Sequence, residues 1–85
     1  MNKDLSFKNR DRLIQLGIAI STLRKVRGLS QEQLAEKAGC SRGLISMIEA
    51  PGTVKGFSLE VFFSIADALE IDPAELLKTS FFSNL

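Results

Sequence analysis

The sequence predicts an all-α fold, a compact bundle of five helices, and three observations carry that expectation. Apolar residues recur at helical spacing in segments separated by glycine, proline and serine. A capping residue stands just ahead of successive segments, at Ser30, Ser41, Ser58 and Asp72. At the centre, Gln31–Ala50 (QEQLAEKAGCSRGLISMIEA) reads as two short helices joined by a tight turn. Neither would be stable alone in water, so each needs the other and a supporting scaffold.

Taken in order, residues 1–8 form a flexible arm, with Lys3 and Lys8 either contacting phosphate or belonging to a terminus without a role. The body of the domain is expected over residues 9–78. Its first helix spans Asn9 to Arg27, with Leu13, Leu16 or Gly17, Ile20, Leu23 and Val26 as the buried stripe, and Gly28 ends it. Ser30 and Gln33 form a capping box for a second helix beginning at Gln31, whose apolar face is Leu34, Ala35 and Ala38. Gly39 supplies the left-handed conformation that closes a helix. Ser41 caps a third helix with Leu44, Ile45 and Ile48 on its inward side. A small residue at Ala35, a glycine at the turn and a branched residue at Ile45 make the physical recipe of a helix-turn-helix.

After a loop, Ser58 caps a fourth helix whose apolar side is Leu59, Phe62, Phe63, Ala66 and Leu69, widened by Val61 and Ile65. Asp72 caps a fifth, with Pro73 at its first position, Glu75 completing the box, and Leu76 and Leu77 docking it. Residues 79–85 form an apolar tail. Its Phe81, Phe82 and Leu85 either fold back or present a patch to a partner subunit.

Length and composition narrow the function. Eighty-five residues suffice for one modest core but not for an enzyme-sized cleft. Cys40 is the only cysteine and there is no histidine, so no disulfide, zinc cluster or histidine-based catalysis has residues to use. No catalytic residue, metal, cofactor or small-molecule effector is expected, and Cys40 fills a small site in the turn. Without a run of transmembrane length, a cytoplasmic protein with no membrane partner is expected. Charge is polarised: residues 1–42 hold nine Lys/Arg against four Asp/Glu, and residues 43–85 hold two against six. That distribution suits one basic face toward phosphates and an acidic face turned away.

The stretch LRKVRGLSQEQLAEKAGCSRGLISMIE resembles the phage Cro/repressor type of helix-turn-helix, the xenobiotic-response-element family of bacterial regulators. The resemblance covers about residues 13–77 and rests on LSQEQLA, the Ala–Gly–Ile spacing, an upstream arginine and a glutamate ending the second motif helix. It implies a lambda-repressor-like DNA-binding domain. It also implies a structural ion pair between Arg24 and Glu49, and base-reading positions at Arg42, Gly43 and Met47, with Ser46 beside them. Counting from the Ser41 cap places the same four residues on the outward face of the third helix. Arg42 has the fork that pairs with guanine, and Met47 offers a deformable contact for a thymine methyl. Gly43 costs its helix ~1 kcal/mol relative to alanine.

Gln31, opening the second helix, is expected to contact a phosphate, and Ser41 lies at the same kind of position on the third. The chain departs from the family after Glu49. The loop APGTVKGF is longer than the usual connection, and Ala50 stands where a polar residue commonly holds phosphate. Thr53 and Lys55 are the substitutes available.

The expected function is sequence-specific binding of double-stranded DNA by a transcriptional regulator, a repressor acting as a homodimer on a palindrome. One small module reads too few base pairs for genomic specificity. The alternative is a protein-interaction module, such as an antitoxin or accessory regulator, with a degenerate DNA-reading face. Gly43 and Ala50 are the residues that favour it.

Overall fold

A computed structural model of the protein describes residues 7–82. Five helices follow one another: α1 (Phe7–Val26), α2 (Gln31–Ala38), α3 (Arg42–Glu49), α4 (Leu59–Ala68) and α5 (Pro73–Phe82). No strand occurs among the described residues. Helix α1 begins earlier than the spacing predicts, so Phe7 and Lys8 belong to it rather than to the arm. Helix α5 runs on through Phe82, so the expected tail is helical at least that far, and Ser80 within it is buried. Leu85 lies outside the described residues.

The caps are local chemistry made visible. Ser30 Oγ accepts from Gln33 N at 3.0 Å while Gln33 Oε1 accepts from Ser30 N at 2.8 Å, which closes the capping box of α2. Ser41 and Ser58 accept from Leu44 N and Val61 N in the same way. Asp72 Oδ1 takes the Ala74 amide at 2.8 Å. Glu75 adds no return bond there, so α5 has a single cap and not a box.

One termination device is used three times. After α1, Leu29 N donates to Arg24 O; after α2, Cys40 N donates to Ala35 O; after α4, Ile71 N donates to Ala66 O, each at 3.0 Å. This pattern needs a left-handed residue just before the donor. Gly28 (φ 73°) and Gly39 (φ 70°) supply it at no steric cost, but after α4 the residue is Glu70 (φ 59°). Arg27 closes that last end as well. Its Nε donates to Leu69 O at 2.8 Å, giving a cation to the carbonyl end of α4.

Every helix contributes to one core. Leu16, Ala19 and Ile20 of α1 meet Leu34 and Ala35 of α2, Ile45 and Ile48 of α3, Phe62, Ile65 and Ala66 of α4, Leu69 and Leu76. Helix α1 packs on α3 and α5, and α2 packs on α3 and α4. The radius of gyration, 12.3 Å, is close to the ~12 Å expected for a chain this long.

Both Leu16 and Gly17 are buried, but they serve different ends. Leu16 fills the core. Gly17 lies against α3, where a Cβ would collide with the backbone carbonyl of Ile48. Only glycine allows that approach of α1 to the end of α3. Several expected core residues are not in the core. Val26 is 69% exposed, Leu59 70%, Phe63 48% and Leu77 38%. Val26 sits at the end of α1, past its packed length. Leu59, Phe63 and Leu77 lie on the solvent side of α4 and α5, whose inner positions Phe62, Ile65, Ala66, Leu69 and Leu76 already complete the core.

Candidate nucleic-acid interface

The position of α3 is set by a polar clasp. Arg24 of α1 and Glu49 at the end of α3 meet in a bidentate pair, with Nε–Oε2 2.8 Å, Nε–Oε1 3.1 Å and Nη2–Oε1 2.9 Å. Their side chains are only 11% and 3% exposed. The guanidinium has a further use for Nη1, which donates to Leu29 O at 2.7 Å in the α1–α2 connection. Gln31 joins from the start of α2, its amide Nε2 donating to Glu49 Oε1 at 3.1 Å. Thus α1, α2 and α3 are tied at one carboxylate, and the α1–α2 connection at the guanidinium paired with it. Removing a partner from such an enclosed pair leaves a charge without its counterion, at a cost of several kcal/mol (~3–5). With Gly17 beside the Ile48 carbonyl, α3 is held on α1 at two places, seven residues or ~10 Å apart along the helix.

The clasp gives Gln31 an intramolecular task. The amide group carries two hydrogens and one is committed to Glu49, which leaves the other for an external acceptor. Gln31 is half-buried. It is therefore fixed in orientation at the N-terminus of α2 rather than free in solvent.

The opposite side of α3 is open. Arg42 and Gly43 are exposed and Met47 is 44% exposed, while Ser46 is half-buried among them. Ile45 and Ile48 point into the core and Leu44 packs at its edge. Ser41 uses Oγ as an acceptor for its cap, so its hydroxyl hydrogen remains available to an outside group. The helix thus has a fixed inner face and an outer face with one cation, one gap and one thioether.

The loop after Glu49 opens with a defined turn. Thr53 N donates to Ala50 O at 3.2 Å around Pro51 and Gly52, and Gly52 has φ 77°. Proline then a left-handed glycine is the pattern of a type II turn. Thr53 is exposed beyond it, and Lys55 is half-buried. Ala50 itself is half-buried and brings no polar atom beyond its backbone.

Cys40 packs against the core at the turn between α2 and α3. Desolvation by burial raises its thiol pKa above the ordinary value of 9.0, so it is a neutral thiol at physiological pH. Among the described residues, no group of three or more His, Cys, Asp or Glu could hold a metal ion. No described helix is long and apolar enough to cross a membrane.

Two residues that matter here were not singled out by sequence. Gly17 appeared only as an alternative to Leu16, and Arg27 only as the last residue of a helix. Periodicity places Gly17 on the buried stripe but says nothing of the carbonyl it meets, and the role of Arg27 likewise depends on a neighbour distant in the chain.

The geometry has relatives of known structure. Residues 20–76 match a family model described as helix-turn-helix. The restriction-modification controller protein C.AhdI from Aeromonas hydrophila is 36% identical, over 75% of this chain and 94% of its own, with a TM-score of 0.69. The clp gene regulator ClgR from C. glutamicum is 28% identical, over 87% and 94% of the two chains, with a TM-score of 0.75. A second restriction-modification controller protein, C.Esp1396I, is 26% identical, over 93% and 99%, with a TM-score of 0.73. No curated protein matches the sequence. Together with the capped α2–turn–α3 unit and its clasp on α1, the match places the chain in the xenobiotic-response-element type of helix-turn-helix family, the DNA-binding transcriptional regulators.

Proposed function

We propose that this protein is a sequence-specific regulator, a repressor that binds a palindromic operator as a homodimer through α3. The observation that carries the reading is the two-sidedness of α3. Its inner face is locked by Ile45, Ile48 and the Arg24–Glu49 clasp, which turns Arg42, Gly43 and Met47 outward together. A helix held this way inserts into the major groove and presents its first turn to base edges. Arg42 pairs with guanine O6 and N7, and Met47 packs on a thymine methyl, with Ser46 adjacent. Gln31, with its remaining amide hydrogen, and the Ser41 hydroxyl hold phosphates. Thr53 and Lys55 replace the side chain that Ala50 lacks.

A dimer follows from the size of the reading head. Eight residues of α3 contact too few base pairs to select one site in a genome, and a two-fold pair doubles the number read. Leu59, Phe63 and Leu77 supply apolar surface that the core does not use. Two of the similar structures are restriction-modification controllers, which supports genes of that kind as the class of target.

The test is an electrophoretic mobility shift with the DNA upstream of its own coding sequence. The expected result is a discrete complex that unlabelled site displaces and random duplex does not. If random duplex competes equally, the reading head is degenerate and the protein is an interaction module.

A further inference from the structure

Gly43 costs its helix stability and gains nothing inside the protein. It sits at the second position of α3, where alanine would favour the helix. Its φ is not in the left-handed region, so the backbone does not call for glycine. A Cβ built there meets only Ser41 Oγ, at 3.9 Å, which is ordinary contact. Gly17 is the contrast within the same molecule, because there a Cβ would strike the Ile48 carbonyl. One glycine is demanded by the fold. The other is not.

We propose that Gly43 is a specificity-determining gap: the DNA comes against the backbone of α3 at this point, closer than any side chain permits. The inference rests on the DNA-reading assignment above and names the place of closest approach. The gap lies on the exposed face, next to Arg42 and one helical turn before Met47. Side chains at i and i+4 share a face and lean toward the N-terminus of their helix. Met47 therefore stands on the same face as Gly43 without covering it, since no atom of Met47 comes within 4 Å of where a Cβ at Gly43 would sit. Arg42 flanks it with a cation. With no Cβ between them, the helix settles deeper in the groove, and the guanidinium and the thioether reach their base edges together. An added methyl at residue 43 lifts the first turn and withdraws both contacts at once.

The experiment compares wild type with Gly43→Ala and Gly43→Val, by urea unfolding and by affinity for the duplex that wild type enriches from a random pool. Gly43→Ala is expected to raise the unfolding midpoint, because no intramolecular contact is lost. The same variant is expected to bind at least about tenfold more weakly, with Gly43→Val weaker still. A Gly43→Ala protein that binds within tenfold of wild type overturns the gap and leaves the reading assignment standing. A Gly43→Ala protein less stable than wild type also overturns it, since the fold would then require the glycine. Should wild type enrich no duplex, the reading assignment fails and the gap fails with it.

Discussion

In α2 and α3 the large apolar residues Leu34, Ile45 and Ile48 are buried and only Met47 stands in solvent, whereas α4 and α5 leave Leu59, Phe63 and Leu77 exposed around an equally complete core. The two halves use their surfaces for different chemistry. In the helix-turn-helix half, apolar surface is spent on orientation, and the outer face holds groups able to discriminate hydrogen-bonding partners. In the C-terminal half the outer face sets Leu59, Phe63 and Leu77 in solvent among the exposed charges of Glu60, Asp67, Glu75 and Lys78. The first half is suited to reading a polar lattice such as DNA, and the second to meeting another apolar surface.

The largest effect expected is on the first half. Glu49→Ala should cost ~3 kcal/mol or more, because it strands the Arg24 guanidinium in a site where it is 11% exposed. Urea unfolding of Glu49→Ala, Arg24→Ala and the double variant measures it. A loss below about 0.5 kcal/mol in the single variants would make the clasp no better than a surface pair and remove the reason for α3's orientation.

Next comes the second half. Phe63→Glu should weaken self-association by ~30-fold, the size of an interface hot spot, and should cost the monomer ~1 kcal/mol or more, since half of Phe63 is covered and its ring lies 5.8 Å from that of Phe62. Sedimentation equilibrium measures the first quantity and urea unfolding the second. An unchanged association constant would place the dimer contact elsewhere and leave the apolar excess without a purpose.

The smallest effect lies where the halves share a device. Glu70→Gly should stabilise the protein by ~0.5–1 kcal/mol, since it puts glycine at the left-handed position that Gly28 and Gly39 already occupy after α1 and α2. Thermal unfolding would show it. A fall in stability would mean that the Glu70 side chain has a task of its own.

The same contrast explains what could be read from sequence. The caps, the glycine turn and the inward triplet of α3 are local, each written within a few residues, so the helix-turn-helix was legible in full. The Arg24–Glu49 partnership was legible only through the family resemblance, since nothing in the spacing of two charges 25 residues apart says that they meet. Leu59, Phe63 and Leu77 misled because helical periodicity marks an apolar face without saying whether the core or a partner covers it. Gly17 was legible as a place on the buried stripe but not as a point of close approach, since a glycine inside a helix looks like a weak position until the opposing carbonyl is seen. Arg27 was silent for a similar reason: the carbonyl it caps belongs to Leu69, and α4 must end in the right place before the bond exists. For Gln31, the charge-free amide at a helix start pointed to phosphate, but its bond to Glu49 required α3 to be in place.

Whether α3 reads sequence through Arg42 while Gln31 only positions the protein, as proposed, is tested most directly by one binding-site selection. Wild type, Arg42→Ala and Gln31→Ala would be taken through the same random duplex pool at one fixed salt concentration. Wild type is expected to enrich a palindrome. Arg42→Ala should lose preference at one base pair of each half-site, with ~1–3 kcal/mol of affinity per half-site. Gln31→Ala should keep the motif and weaken all duplexes about equally, since a phosphate contact carries no base information. If Arg42→Ala enriches the same motif as wild type, Arg42 is a phosphate contact and the account of α3 as an arginine-guided reading helix is wrong.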